Sequence, residues 1–159
     1  MQTPPIDPLQ LAKNLCNQGI DHSVANAHET AIALYDEVIH QFFKRRLLAF
    51  TEIVAKAMYN KACGLALLGR NEEAVSAYEA LIKRYGQNEE TSVVTHVAKG
   101  MMNMAYQLGF LEQHEACIAV YHSIVQRYGK RQEASIAEHV NVVKAFLAER
   151  QAVLDRRFV

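Results

Sequence analysis

The seven residues VAKAMYN occupy positions 54–60, and VAKGMMN occupies 97–103. A third version, LAKNLCN, occupies 11–17, so each copy follows the last by 43 residues. The likeness extends beyond the phrase. With residues 54–86 laid on 97–129 without a gap, 13 of 33 positions are identical, where ordinary composition would give about two. The matches include Met58, Ala62, Leu65, Glu72 and Tyr78, and they close on Arg84-Tyr85-Gly86. The first copy is more degenerate but in phase, with Glu29, Ala31 and Tyr35 one period before Glu72, Ala74 and Tyr78. A fourth begins at His139-Val140, one period after His96-Val97. A fixed period of this length marks a stacked array of small units.

Each unit reads as two helices. All three prolines, Pro4, Pro5 and Pro8, precede residue 9, so nothing interrupts a helical ladder downstream. Met58, Ala62, Leu65 and Leu68 form one helical stripe. Ala74, Tyr78, Leu81 and Ile82 form another, after a break at Gly69-Arg70-Asn71. Gly69 suits the left-handed conformation that ends a helix, and Asn71 is the expected cap of the next. Helices are predicted over 8–24, 27–43, 46–68, 71–85, 89–109, 112–128 and 132–157. The units are 8–43, 46–86, 89–129 and an incomplete 132–159, in one domain over 8–159 after an extension of residues 1–7. Short links make neighbouring helices antiparallel. Neither helix of a unit can cover its own apolar face, so the units must stack.

The stretch MYNKACGLALLGRNEEAVSAYEALI, 58–82, resembles the tetratricopeptide repeat. The match includes Asn60 and Ala62 in the first helix, Gly69 at the turn, Glu73-Ala74, and Tyr78 in the second. It is closest to the longer bacterial variants, with a VAKAxxNKG-like phrase and an aromatic before the closing Gly. The period of 43 exceeds the usual 34 or so, which is expected to lengthen each first helix by about two turns. Met58, Met101 or Leu15 stands where the family has tryptophan, and Gly86 or Gly129 where it has proline. Leu108-Gly109 comes three residues early for the third unit's turn, which leaves either a longer turn or a glycine inside the helix. The resemblance implies an all-α, right-handed α-α superhelix of about seven antiparallel helices in 3.5 repeats.

The resemblance also implies a concave groove lined by the first helices, where polypeptides bind. Lys13/Asn17, Lys56/Asn60 and Lys99/Asn103 each lie four residues apart and share a helix face. Together they would form a ladder across the groove. Asparagine offers a donor and an acceptor to a peptide backbone, and lysine offers a cation to a carboxylate. Tyr59, Met102, Tyr106 and Phe110 would add adaptable apolar surface. The other reading of the ladder is structural: the asparagines bond to neighbouring helices and the lysines are solvated. The fourth unit abandons it, with Val142 and Phe146. The family's carboxylate clamp is met at Asn60 and Lys99 but not at Cys16, Ile20 and Asn103, so a true clamp is not expected.

Other features exclude more than they suggest. Formal net charge is zero, with 17 basic and 17 acidic side chains, which offers no general affinity for nucleic acid. No apolar run is long enough to span a membrane. The N-terminal residues lack the pattern of a secretion signal, and the three cysteines read as helical thiols of a reducing compartment, so a cytoplasmic protein is expected. Lys44-Arg45-Arg46 beside Phe42 and Phe43 reads as a solvated link. Arg150, Arg156 and Arg157 suit the C-terminal end of a helix dipole. The seven histidines form no metal motif, and no nucleophile or phosphate-binding motif is present. No cofactor and no catalytic residue is expected. The expected partner is another protein or peptide, acidic or extended. The alternative is self-assembly or a homodimer through the last helix, using Val143, Leu147, Leu154 and Phe158.

Overall fold

The computed structural model describes the backbone of residues 6–156 and the side chains of 6–149. All described elements are helices: α1 (Pro8–Val24), α2 (His28–Phe42), α3 (Leu48–Leu67), α4 (Asn71–Tyr85), α5 (Thr91–Phe110), α6 (His114–Tyr128) and α7 (Ala134–Arg156). The first helices α3 and α5 run 20 residues and the second helices 15. None is long and apolar enough to cross a membrane among the described residues.

Each helix packs on the next, and α1, α3, α5 and α7 also pack on one another in sequence. The second helices α2, α4 and α6 make no such mutual contacts. A layer that touches all along its length, backed by one that is spread apart, bends toward the touching side. The first helices therefore form the closely packed layer, and their open side is called the inner face below.

The turns inside the units repeat in detail. Asn26, Gly69 and Glu112 all have positive φ, at 59°, 73° and 59°, and lie 43 residues apart. In each, the following residue's N–H reaches back to a carbonyl in the last helical turn: Ala27 to His22, Arg70 to Leu65 and Gln113 to Leu108, at 2.8–3.0 Å. This bond satisfies a carbonyl that the helix end leaves unpaired. It also settles the third turn. Gly109 lies inside α5, and Glu112 takes the left-handed position. Only Gly adopts that conformation without a penalty. Glu112→Gly is accordingly expected to stabilise the chain by about 1 kcal/mol, read as a raised thermal midpoint. A lowered midpoint would contradict this reading of the turn.

One cap differs from expectation. Asn71 is the first residue of α4, not its cap; Arg70 holds the cap position without a side-chain cap bond. Its guanidinium instead meets Glu73 at 2.6 Å through both Nε and Nη2, and Glu29 of the preceding unit at 3.3 Å. The turn geometry places residue 70, one position earlier, at the cap. α1 follows the more usual design, with the Asp7 carboxylate accepting from Gln10 N–H at 3.0 Å and proline in the first turn.

The expected core face of the first helices is buried. Ala55, Met58 and Ala62 in α3 are 7% exposed or less, as are Ala98, Met101 and Ala105 in α5. In α7 the same register carries Asn141, Lys144 and Ala148, all exposed. That face is therefore polar, and Lys144 Nζ donates to the Gly129 carbonyl at the end of α6, at 3.3 Å. Val143, expected as an oligomer contact, is 1% exposed within the chain's own core beside Ile124 and Val140. It is already covered and offers nothing to a second copy. Leu147 is half-buried against the same core. Leu154 and Phe158 fall outside the described side chains.

Candidate functional site

The inner face changes character along the array. Across its first three units it carries the Lys/Asn register. Lys13 and Asn17 are exposed, while Lys56, Asn60, Lys99 and Asn103 are half-buried at the seams between units. No ion pair among the described residues includes Lys13, Lys56 or Lys99.

The asparagines look inward. Asn103 Nδ2 donates to the hydroxyls of Tyr59 and Tyr78, each at 3.3 Å, and reaches Cys63 Sγ at 3.5 Å. Two hydrogens are thus shared among three acceptors of the preceding unit. The Tyr78 hydroxyl in turn donates to Cys63 Sγ at 3.3 Å. Burial pushes the Tyr59 and Tyr78 hydroxyls well above their usual range, so both stay protonated. One unit earlier, Asn60 lies near Tyr35, whose hydroxyl burial pushes up to about 12 against a smaller lowering by Asn60. Buried hydroxyls need partners, and Asn103 supplies one across the unit seam.

The lysines border a half-buried histidine. His96 stacks on Tyr59 with ring centroids 5.8 Å apart, and its Nδ1 has no hydrogen-bond partner. Burial first, then the charges of Lys99 and Lys56, lower its pKa to about 4, against a small opposing effect of Glu52. His96 is neutral in the folded chain, whereas the unfolded side chain titrates near 6.5. Between pH 6.5 and 4 the unfolded state binds more protons, so stability falls as pH drops through that window and this group adds no further loss below it. Urea midpoints measured at pH 7 and pH 5 are expected to differ, and His96→Gln is expected to shrink the difference. An unchanged pH dependence in that variant would contradict the placement of His96.

Toward the C-terminal end of α5 the face turns apolar. Tyr106 and Phe110 are 62% and 63% exposed and pack edge to face at 4.9 Å. Phe146, one period after Asn103, sits 4.9 Å from the Tyr121 ring. It takes the place of the amide that serves Tyr78, so a ring contact replaces a hydrogen bond. Together with His114, Cys117 and Ile118 these side chains line an open cleft of about 440 Å³ between α5, α6 and α7. The structure thus brings Tyr106 and Phe110 together in one cleft. Tyr59 is engaged at the seam, and Met102 is half-buried against the main core. The sequence reading missed Tyr121, Phe146, Ile118, Cys117 and His114.

Gly100 lets α5 approach α4 so closely that an added Cβ would lie 2.9 Å from Leu81 Cδ2 and 3.4 Å from Tyr78 Cδ1. The corresponding residue of α7 is Val143, and a residue of that size cannot make the same close approach.

Among known families, the tetratricopeptide repeat matches residues 56–88, which span most of α3, all of α4 and the link beyond. No curated protein matches the chain.

Proposed function

The chain carries a tetratricopeptide repeat at residues 56–88, and on that premise we propose that it is a non-catalytic protein–protein interaction module. It binds a segment of another polypeptide along the inner face of its first helices. The observation that carries this reading is the composition of that face: three lysines without ion pairs among the described residues at one end and exposed Tyr106, Phe110 and Phe146 at the other. Asn60 and Asn103 fix the helices that present this face, while Lys13, Lys56 and Lys99 attract carboxylates. The face is built from packed helices, so little ordering cost accompanies binding. The three cysteines, Cys16 buried and Cys63 and Cys117 half-buried, form no disulfide among the described residues and fit a reducing compartment such as the cytoplasm. Self-assembly through α7 is the weaker reading, because Asn141 and Lys144 stand where α5 has the buried Ala98 and Met101.

Selection from a random peptide library on the immobilised chain tests the proposal. Enriched peptides are expected to bind the wild type and to weaken about tenfold or more, near 1.4 kcal/mol, against a Lys13→Glu, Lys56→Glu, Lys99→Glu variant or against Phe110→Asp. Circular dichroism must show that each variant remains as helical as the wild type. Enriched peptides indifferent to both changes, or no enrichment at all, would overturn the reading.

A further inference from the structure

Each link between units joins the end of a second helix to the start of a first helix, so the links share one edge of the array. They share a register but not a chemistry. The residue before α5 is Glu90 and the residue before α7 is Glu133, whereas the residue before α3 is Leu47. One position earlier stand Glu89, Gln132 and Arg46. Leucine is a poor start for a helix, because it offers no acceptor to the unpaired N–H groups of the first turn. Leu47 nevertheless holds that position, makes no side-chain cap bond and is 70% exposed. Leu48 follows at 45%. Two apolar side chains thus stand in solvent where a helix start favours a polar one.

Cations surround the pair. Lys44, Arg45 and Arg46 precede it and are exposed. Arg84 of α4 joins them, stacked on the Phe43 ring at 4.3 Å and donating through Nη2 to the Phe43 carbonyl at 3.1 Å. None of the four forms an ion pair among the described residues. No acidic residue lies between Glu37 and Glu52 in the sequence, and Glu52 already accepts from Ser92 Oγ at 2.6 Å. The rings nearby are engaged: Phe42 stacks on Phe50 at 5.4 Å, and Arg45 lies 5.6 Å above Phe50. The outward surface is therefore two leucines ringed by cationic heads. A net charge of zero hides this basic corner, because charge acts locally.

The corner fits a lipid surface better than a protein. Two leucines expose far less than the roughly 800 Å² a side that a stable protein interface buries. A bilayer sets no such minimum. Apolar side chains can enter the boundary between headgroups and acyl chains while neighbouring cations stay at the phosphates. Stable attachment takes an apolar and a basic signal together, and this link supplies both. We propose that the link docks the chain on an anionic lipid surface, with Leu47 and Leu48 entering the boundary and Lys44, Arg45, Arg46 and Arg84 facing the headgroups. Contact is confined to this corner, since Glu89 and Glu90 of the next link repel the same surface. It uses helix ends rather than the inner face, and so is independent of the polypeptide-binding reading.

The chain has no tryptophan, so Leu47→Trp places a single indole on the link. Its emission is expected to move to shorter wavelength with vesicles of equal parts phosphatidylcholine and phosphatidylserine, and to stay unchanged with phosphatidylcholine alone. Cosedimentation of the unaltered chain with the mixed vesicles is expected to saturate and to weaken as salt rises. Lys44→Glu plus Arg46→Glu is expected to weaken it about tenfold or more. Leu47→Ser separates insertion from charge. Serine starts a helix well, so the thermal midpoint is expected to hold or rise while vesicle affinity falls about threefold or more. Val24→Asp, at the other end of α1 and 79% exposed, is expected to change nothing. The altered residues are exposed, and circular dichroism checks that each variant folds. No binding to the mixed vesicles, or binding indifferent to these changes, would overturn the proposal. Binding lost on charge reversal but unmoved by Leu47→Ser, with no emission shift, would reduce the corner to a site for any polyanion and would also overturn it. Library-selected peptides are expected to bind all these variants like the unaltered chain, so failure here leaves the inner-face function standing.

Discussion

Tyr78→Ala is expected to destabilise the chain by about 3–5 kcal/mol, the range for truncating a buried aromatic side chain. Tyr78 is 0% exposed and sits where three elements meet: α4, which carries it, α3 and the following α5. The truncation would leave a cavity and strip Asn103 and Cys63 of a shared partner. Tyr78→Phe separates the two losses. It keeps the ring and removes only the hydroxyl, so about 1 kcal/mol is expected. Equal losses in the two variants, measured by urea denaturation, would show that the hydrogen bonds and not the ring hold the seam. A negligible loss in Tyr78→Ala would contradict the packing altogether.

Gly100→Val is expected to cost about 1–3 kcal/mol by overpacking, although glycine is a poor helix former and its replacement would otherwise help. The added Cβ alone would lie 2.9 Å from Leu81 Cδ2 and 3.4 Å from the Tyr78 ring. The change also writes into α5 what Val143 already writes into α7. Leu81→Ala in the same chain is expected to absorb part of the strain, so the double variant should lose less than the sum of the singles. Strict additivity would mean that Gly100 and Leu81 do not share the contact described.

The helix layout was legible because a period is a global signal. One well-marked unit fixed the others, and the expected helix starts fall within two residues of those in the structure. The core face followed from the same register. What escaped the sequence depended on position to within a single residue. Asn71 is a good cap by residue type, but the turn places Arg70 at the cap position. Glu112 was not readable as a left-handed residue, since only its place one period after Gly69 marks it. The asparagines were left with two readings, and the structure places the Asn103 amide on tyrosines of the preceding unit.

The cleft was hidden for a different reason. Tyr106 and Phe110 stood out as large side chains beyond the core register. Their neighbours Ile118, Tyr121 and Phe146 look like ordinary core or ladder positions. α7 departs from the register of α5 at Val143, which stands where α5 has Gly100. It is an unremarkable substitution alone, found only by a position-by-position comparison of the first helices.

The central claim is that polypeptide binding takes place on the inner face of the first helices. Backbone amide shifts of the isotope-labelled chain, recorded by NMR during titration with a library-selected peptide, test it most directly. The expected result is a contiguous set of perturbed residues on α1, α3 and α5, including Lys56, Lys99, Tyr106 and Phe110, with α2 and α4 silent on their outer faces. Perturbations confined to the outer second helices, or to the links between units, would contradict the account and move the interface to the opposite side of the array.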